Sequence, residues 1–125
     1  MIAGIGTDIV AVARMGDLYV RHGVRALDKI LAPAERDDFI KAKNPGRFLA
    51  KRFAAKEAFA KAAGTGVRAP VLLPAIAVTH DELGKPAFAC SAVLHDWLTA
   101  RGVQRMHVSI SDERTHCLAF VVFEG

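Results

Sequence analysis

Hydrophobic and polar positions alternate from Ile2 to Val10, and what fills the second face is informative. Ile5, Thr7 and Ile9 point one way, while Gly4, Gly6 and Asp8 point the other. One face of this strand is therefore nearly bare, so another element can approach its backbone, and the bare strip ends at Asp8. The spacing predicts a helix from Arg14 to about His22 and part of another over Arg36–Ala42, with Pro33 suited to its first turn. Pro45–Ala63 predicts a long helix that Gly64 terminates. A strand lies within Val71–His80, its start limited by Pro74, and Asp81–Pro86 is a turn. Ser91 caps a helix reaching about Arg101, where Gly102 ends it. Met106–Ser111 alternates and Cys117–Phe123 is continuously apolar; the two predict a hairpin across Asp112–His116. The order of strand, helices, strand, helix and hairpin gives an α+β fold. It has a mainly antiparallel sheet with helices packed on it, as one domain over residues 1–125.

The long helix is not amphipathic in the ordinary way. At about 100° per residue, Leu49, Phe53 and Ala60 fall on one side, and Phe48 and Phe59 fall nearly opposite. Lys51, Arg52, Lys56, Glu57 and Lys61 are spread between them. With no single wet face, the helix is expected to be enclosed on several sides, by protein and by a ligand. Glu57 is its one carboxylate. Glu57 and Lys61 have the spacing of a surface pair contributing about 0.2–0.5 kcal/mol. Asp8, read alone, is a turn or cap residue at a strand end. A second reading joins them. The bare strand face invites the Ala-rich side of the helix, where Ala50 and Ala54 flank Glu57, and that packing brings Asp8 to Glu57. Two enclosed carboxylates repel unless a cation sits between them. Two protein oxygens plus outside ligands suit Mg²⁺, which keeps waters and takes substrate phosphates. The surplus lysines and arginines then hold the remaining phosphate charge.

Composition sharpens this picture. A 125-residue chain that is 52% hydrophobic, with mean hydropathy +0.23, has apolar surface to place either in an Ala-rich core or in a subunit interface, and an oligomer is favoured. A net charge of +4 points to an anionic partner. Nucleic acid fits poorly, because there is one Trp, one Tyr and no basic run with interleaved aromatics. Cys90 and Cys117 read as reduced, partly buried thiols. The first residues lack a basic leader segment, and no apolar run approaches about 18 residues, so no membrane partner is expected and a cytoplasmic location is the default.

Weaker signals complete the set. Gly64-Thr65-Gly66 is either a helix stop or a source of amides for a phosphate, and Gly84-Lys85-Pro86 is first a turn and second a nucleotide contact. Arg14, Arg21 and Arg25 share one face if their helix continues past Gly23, either as a solvated basic face or as a docking surface for an acidic helix. His107, Ser109 and Ser111 share one strand face, a spacing that makes no nucleophile–base pair; His107 is either structural or ligand-facing.

GIGTDIV at Gly4–Val10, RFLAKRFAAKEAFAKAAGTG at Arg47–Gly66, GKP at Gly84–Pro86 and HVSISDE at His107–Glu113 occur in one order. Together they resemble the holo-acyl-carrier-protein synthases, the small bacterial 4'-phosphopantetheinyl transferases, over essentially the whole chain. The resemblance implies transfer of 4'-phosphopantetheine from coenzyme A to a serine of apo acyl carrier protein. Adenosine 3',5'-bisphosphate is released, in support of fatty acid biosynthesis. It implies homotrimers with each site at a subunit interface. Asp8 and Glu57 would bind Mg²⁺ with the coenzyme pyrophosphate, and Lys61 would stabilise charge at the reacting phosphate or leaving group. Arg52, Lys56, Gly64, Gly84, Lys85, Pro86 and His107 match positions lining the coenzyme site, and Arg14 and Arg21 would meet the carrier's acidic helix. The serine proton would go to Glu57 or to a water on the metal; the water is slightly favoured, since a carboxylate already on a metal is a weaker base. The chain departs from the family where an acidic run often opens the middle strand, having Ala75-Ile76-Ala77-Val78 instead, and where an aromatic often precedes it, having Leu72 and Leu73. Asp112 stands where some members carry His. The rival enzymatic reading is a metal-dependent nucleotide pyrophosphatase using the same acidic pair, with water in place of the serine.

Overall fold

The computed structural model describes residues 1–125. Strand β1, Ile2–Ala11, is followed by helices α1, Val12–His22, and α2, Val24–Ile30. A 3-10 turn over Pro33–Glu35 leads into the short α3, Arg36–Lys41, and then the long α4, Pro45–Ala63. A second 3-10 turn precedes strand β2, Ile76–His80, which returns as β3, Pro86–Cys90. Helix α5, Ala92–Ala100, and strands β4, Arg105–Asp112, and β5, His116–Glu124, complete the chain. The α+β class holds. The sheet is antiparallel, in the order β1-β5-β4, and β2 and β3 form a separate antiparallel pair.

Helix α4 is the axis of the core. Asn44 caps it, its side chain accepting from the Arg47 amide at 3.0 Å, with Pro45 in the first turn. Gly64 ends it in the left-handed region, at φ 80°. Eleven of its nineteen residues are buried, as the missing wet face led us to expect. Phe59 meets Phe88 of β3 and Phe123 of β5 edge-to-face, at 5.0 and 4.9 Å between centroids. On another side Phe48 meets Phe39 of α3, which in turn meets Tyr19 of α1.

The bare face of β1 lies directly on α4. A Cβ added at Gly4 would stand 2.0 Å from the Ala62 carbonyl oxygen, and one at Gly6 would stand 2.1 Å from that of Ala58. Glycine is what permits this approach. The contact falls at Ala58–Ala62, further along the helix than the Ala50 and Ala54 of the sequence reading, because Gly4 and Gly6 precede Asp8 and the strand runs back along the helix.

Three elements differ from expectation. Gly23, at φ 53°, ends α1, so Arg25 lies in a separate helix and does not share a continuous face with Arg14 and Arg21. The segment Val24–Ile30 is helical although only seven residues long, its Ala26, Leu27 and Ile30 buried. Pro86 is not part of the turn but the first residue of β3, a strand that the alternation did not reveal. No helix is long and apolar enough to cross a membrane. Both cysteines are free, Cys117 buried and Cys90 half-buried, and burial pushes the Cys90 thiol up to about 11.

Candidate active site

Asp8 sits where β1 leaves the close glycine contact, so its side chain emerges beside the second half of α4. Glu57 and Lys61, one turn apart on that helix, face the same place. The Lys61 ammonium donates to the Thr7 carbonyl at 2.9 Å and to Asp8 Oδ1 at 3.3 Å. Asp8 is largely covered, at 19% side-chain exposure, whereas Lys61 is open at 56%. Burial raises the proton affinity of Glu57, and the Asp8 charge raises it further, with Lys61 and Arg14 opposing. Asp8 and Glu57 therefore feel one another electrostatically, as the sequence reading required. No three His, Cys, Asp or Glu side chains converge anywhere in the chain. Two carboxylates alone could hold a hard ion that keeps waters and phosphate oxygens, and do not make a closed protein cage.

The second charged stripe of α4 has a different role. Arg52 and Lys56, also one turn apart, point into the core at 6% and 0% exposure. Lys56 Nζ donates to Glu35 Oε1 and to the carbonyls of Ile30, at 2.6 Å, and Leu73, at 3.1 Å. Its three donors are spent inside the protein, so Lys56 leaves the set of coenzyme-facing residues that the resemblance implied. Arg52 Nη1 is similarly spent on Glu35 Oε2 and the Val78 carbonyl. Its other edge reaches a cleft against the first two turns of α4, lined also by Lys43, Arg47, Lys51 and His80. Burial and the charges of Arg52 and Lys51 push His80 down, against Asp38 and Asp81.

Sequence reasoning missed Glu35. Its carboxylate, 1% exposed, accepts from the amides of Ala32 and Val78 and from Arg52 and Lys56. Burial alone would push this carboxyl up, but the charge of Lys56 and the bonds from Lys56, Arg52 and Ala32 outweigh it and hold it low. The only visible signal was a lone Glu two residues after Pro33, which no motif set apart.

Of the remaining predicted residues, only Arg14 acts on the carboxylates. Gly64 and Gly66 spend their amides on the carbonyls of Lys61 and Ala60. The Gly-Thr-Gly thus closes the helix and is no phosphate nest built on those two donors. Gly84 and Lys85 form the β2–β3 turn, where Asp81 Oδ1 accepts from the Leu83 and Lys85 amides, and Pro86 follows at the start of β3. His107 pairs in register with Val122, and Val122 with Ile5. That row lies on the sheet face opposite Asp8, and His107 Nε2 contacts Glu124 there. Arg14 and Arg21 lie on α1 along a groove shared with Asp17, Leu18 and His22. One chain thus assembles Asp8, Glu57, Lys61 and Arg14, and leaves His107 and Gly84–Pro86 elsewhere.

The sequence profile of the 4'-phosphopantetheinyl transferase superfamily matches residues 4–121. A holo-[acyl-carrier-protein] synthase of Laribacter hongkongensis is 82% identical over 125 residues, covering all of both chains. The crystal structure of the synthase of that name from Neisseria meningitidis superposes with a TM-score of 0.96 at 49% identity, covering all of both chains. The Bacillus anthracis enzyme, solved in complex with CoA (3',5'-ADP), gives 0.82 at 34% identity, over 98% of this chain and 96% of that one.

Proposed function

Given that the chain belongs to the 4'-phosphopantetheinyl transferase superfamily, we propose that it transfers 4'-phosphopantetheine from coenzyme A to a serine of apo acyl carrier protein, in support of fatty acid biosynthesis. The serine Oγ attacks the pantetheine-side phosphorus of the pyrophosphate. The bond from that phosphorus to the bridging oxygen breaks, adenosine 3',5'-bisphosphate leaves, and the serine proton is released. The observation that carries the reading is the meeting of Asp8, Glu57 and Lys61 at the contact between β1 and α4.

Each residue has a part in that chemistry. Asp8 and Glu57 would hold Mg²⁺, which when bound supplies neutralising charge at the pyrophosphate. Lys61, open to solvent and lightly tethered to Asp8, offers a mobile cation for the charge that develops on the leaving phosphate. The cleft lined by Lys43, Arg47, Lys51 and Arg52 comes within five residues of Glu57, or roughly 7.5 Å along the helix axis, and its Lys43 and Lys51 suit the coenzyme's further phosphate charge. Arg14 and Arg21, seven residues apart on one face of α1 and exposed, suit the carrier's acidic helix.

The reading includes a homotrimer with the site shared between copies. Its support is that Ile5 and Ile9 of β1 and Leu118 and Phe120 of β5 are exposed on the outer sheet face, at 60%, 61%, 42% and 41%. His107 lies on that same face. A second copy seated there would cover the apolar patch and bring in His107 and the Gly84–Pro86 turn, which one chain keeps from Asp8.

Mass spectrometry of apo carrier protein after incubation with coenzyme A, Mg²⁺ and the protein tests the reading. The carrier should gain phosphopantetheine on one serine, and an unmodified carrier would refute it. If coenzyme A were cleaved equally fast without carrier, the pyrophosphatase reading would replace it.

A further inference from the structure

Arg14 stands at the junction of two regions. It lines the α1 groove with Asp17, Leu18, Arg21 and His22, and its charge acts on Glu57. Although exposed, it has no carboxylate or carbonyl partner within the chain. Its guanidinium lies over the ring of Phe53, with the central carbon 5.4 Å from the centroid. Phe53 is half-buried and sits one helical turn before Glu57, so the two side chains emerge from the same side of α4. A guanidinium on an aromatic face is held in place yet keeps its N–H donors free for an incoming carboxylate. Lysine, a strongly hydrated point charge without a planar face, would not be seated in the same way.

We propose that Phe53 is a positioning residue for the carrier, its ring seating Arg14 where the docking groove meets the Asp8–Glu57 pair. The inference rests on the transferase reading above and deepens it. Docking an acidic side chain on Arg14 then places the carrier's attached segment beside Glu57, because the cation that receives it is fixed relative to α4 and not only to α1. The role is indirect: Phe53 acts through Arg14 and touches no reacting atom.

The test is a double-mutant cycle on steady-state transfer, with carrier and coenzyme A varied separately. Phe53→Leu should raise KM for the carrier about two- to fivefold, the range expected for an exposed cation–ring contact, while KM for coenzyme A stays within about twofold. Phe53→Tyr, which keeps the ring, should behave as wild type. In an Arg14→Ala background, Phe53→Leu should add nothing further to the carrier KM. If the Leu variant folds poorly, Phe53→Met enters the same cycle. The inference is overturned if the Phe53 effect persists undiminished without Arg14, if it falls equally on coenzyme A, or if Tyr fails to restore the carrier KM. Absence of any transfer by the wild-type protein would instead overturn the transferase reading, and this inference with it.

Discussion

Lys56 illustrates how one residue type serves two purposes on one helix. Lys61, five residues on, is open and faces Asp8, whereas Lys56 is sealed against Glu35. Burial pulls the Lys56 ammonium down to about 8, against the opposing charge of Glu35. Removing one partner of such a buried pair costs about 3–5 kcal/mol. Lys56→Met should therefore lower the denaturation midpoint sharply, while the folded fraction keeps its affinity for coenzyme A by calorimetry. A selective loss of coenzyme affinity at unchanged stability would return Lys56 to the coenzyme site. Glu35 sets an acid limit. Its folded proton affinity lies below that of an unfolded glutamate. As pH falls below about 4.5, the unfolded chain binds a proton that the folded chain refuses, and stability drops. Glu35→Gln should be less stable at neutral pH, and its melting temperature should decline less steeply between about pH 5 and pH 3. An unchanged slope would remove Glu35 from this role. The proximity of Asp8 to Glu57 was legible in sequence because glycine spacing on β1 constrains what can approach. The difference between Lys56 and Lys61 was not, since both lie in the same run and only the packing of β2 and the Pro33–Glu35 turn separates them.

At the scale of elements, the contact of β1 with α4 does the positioning. The carbonyl that a side chain at Gly6 would strike belongs to mid-helix backbone, held in the α4 ladder, and cannot step aside. Gly6→Ala should cost about 1–3 kcal/mol by overpacking, and turnover should fall further than the folded fraction explains, because Asp8 shifts away from Glu57. Gly16→Ala is the control. Its added Cβ meets nothing nearer than the Gly46 Cα at 3.9 Å, and alanine within α1 should stabilise by about 0.5–1 kcal/mol. Chemical denaturation with parallel assays separates the two cases; equal tolerance of both would mean that the close approach is dispensable. Helix α4, strand β1 and the β4–β5 hairpin were readable because their periodicities are long and their caps explicit. Strand β3 was not: Pro86 opens it, and its small residues alternate too weakly to mark a strand. Nor was α2, a seven-residue helix behind a glycine that is held by burial of Ala26, Leu27 and Ile30.

For the whole molecule, the outer sheet face is the unfinished part. The strand pattern of β1 was correctly divided into two faces, but the apolar one faces outward, a distinction that periodicity alone does not make. On the shared-site reading, Phe120→Glu should dissociate the assembly in sedimentation and abolish transfer with Asp8, Glu57 and Lys61 intact. A variant that stays assembled and active would place the interface elsewhere. The central claim is that Asp8 and Glu57 act as one divalent-ion site against a pyrophosphate. Binding of Mn²⁺ followed by the paramagnetic signal of the free ion, in the presence of coenzyme A, tests this most directly. The account predicts that Asp8→Asn and Glu57→Gln each weaken ion binding by about tenfold or more while melting like the wild type; if either variant binds the ion as tightly as the wild type, the claim is contradicted.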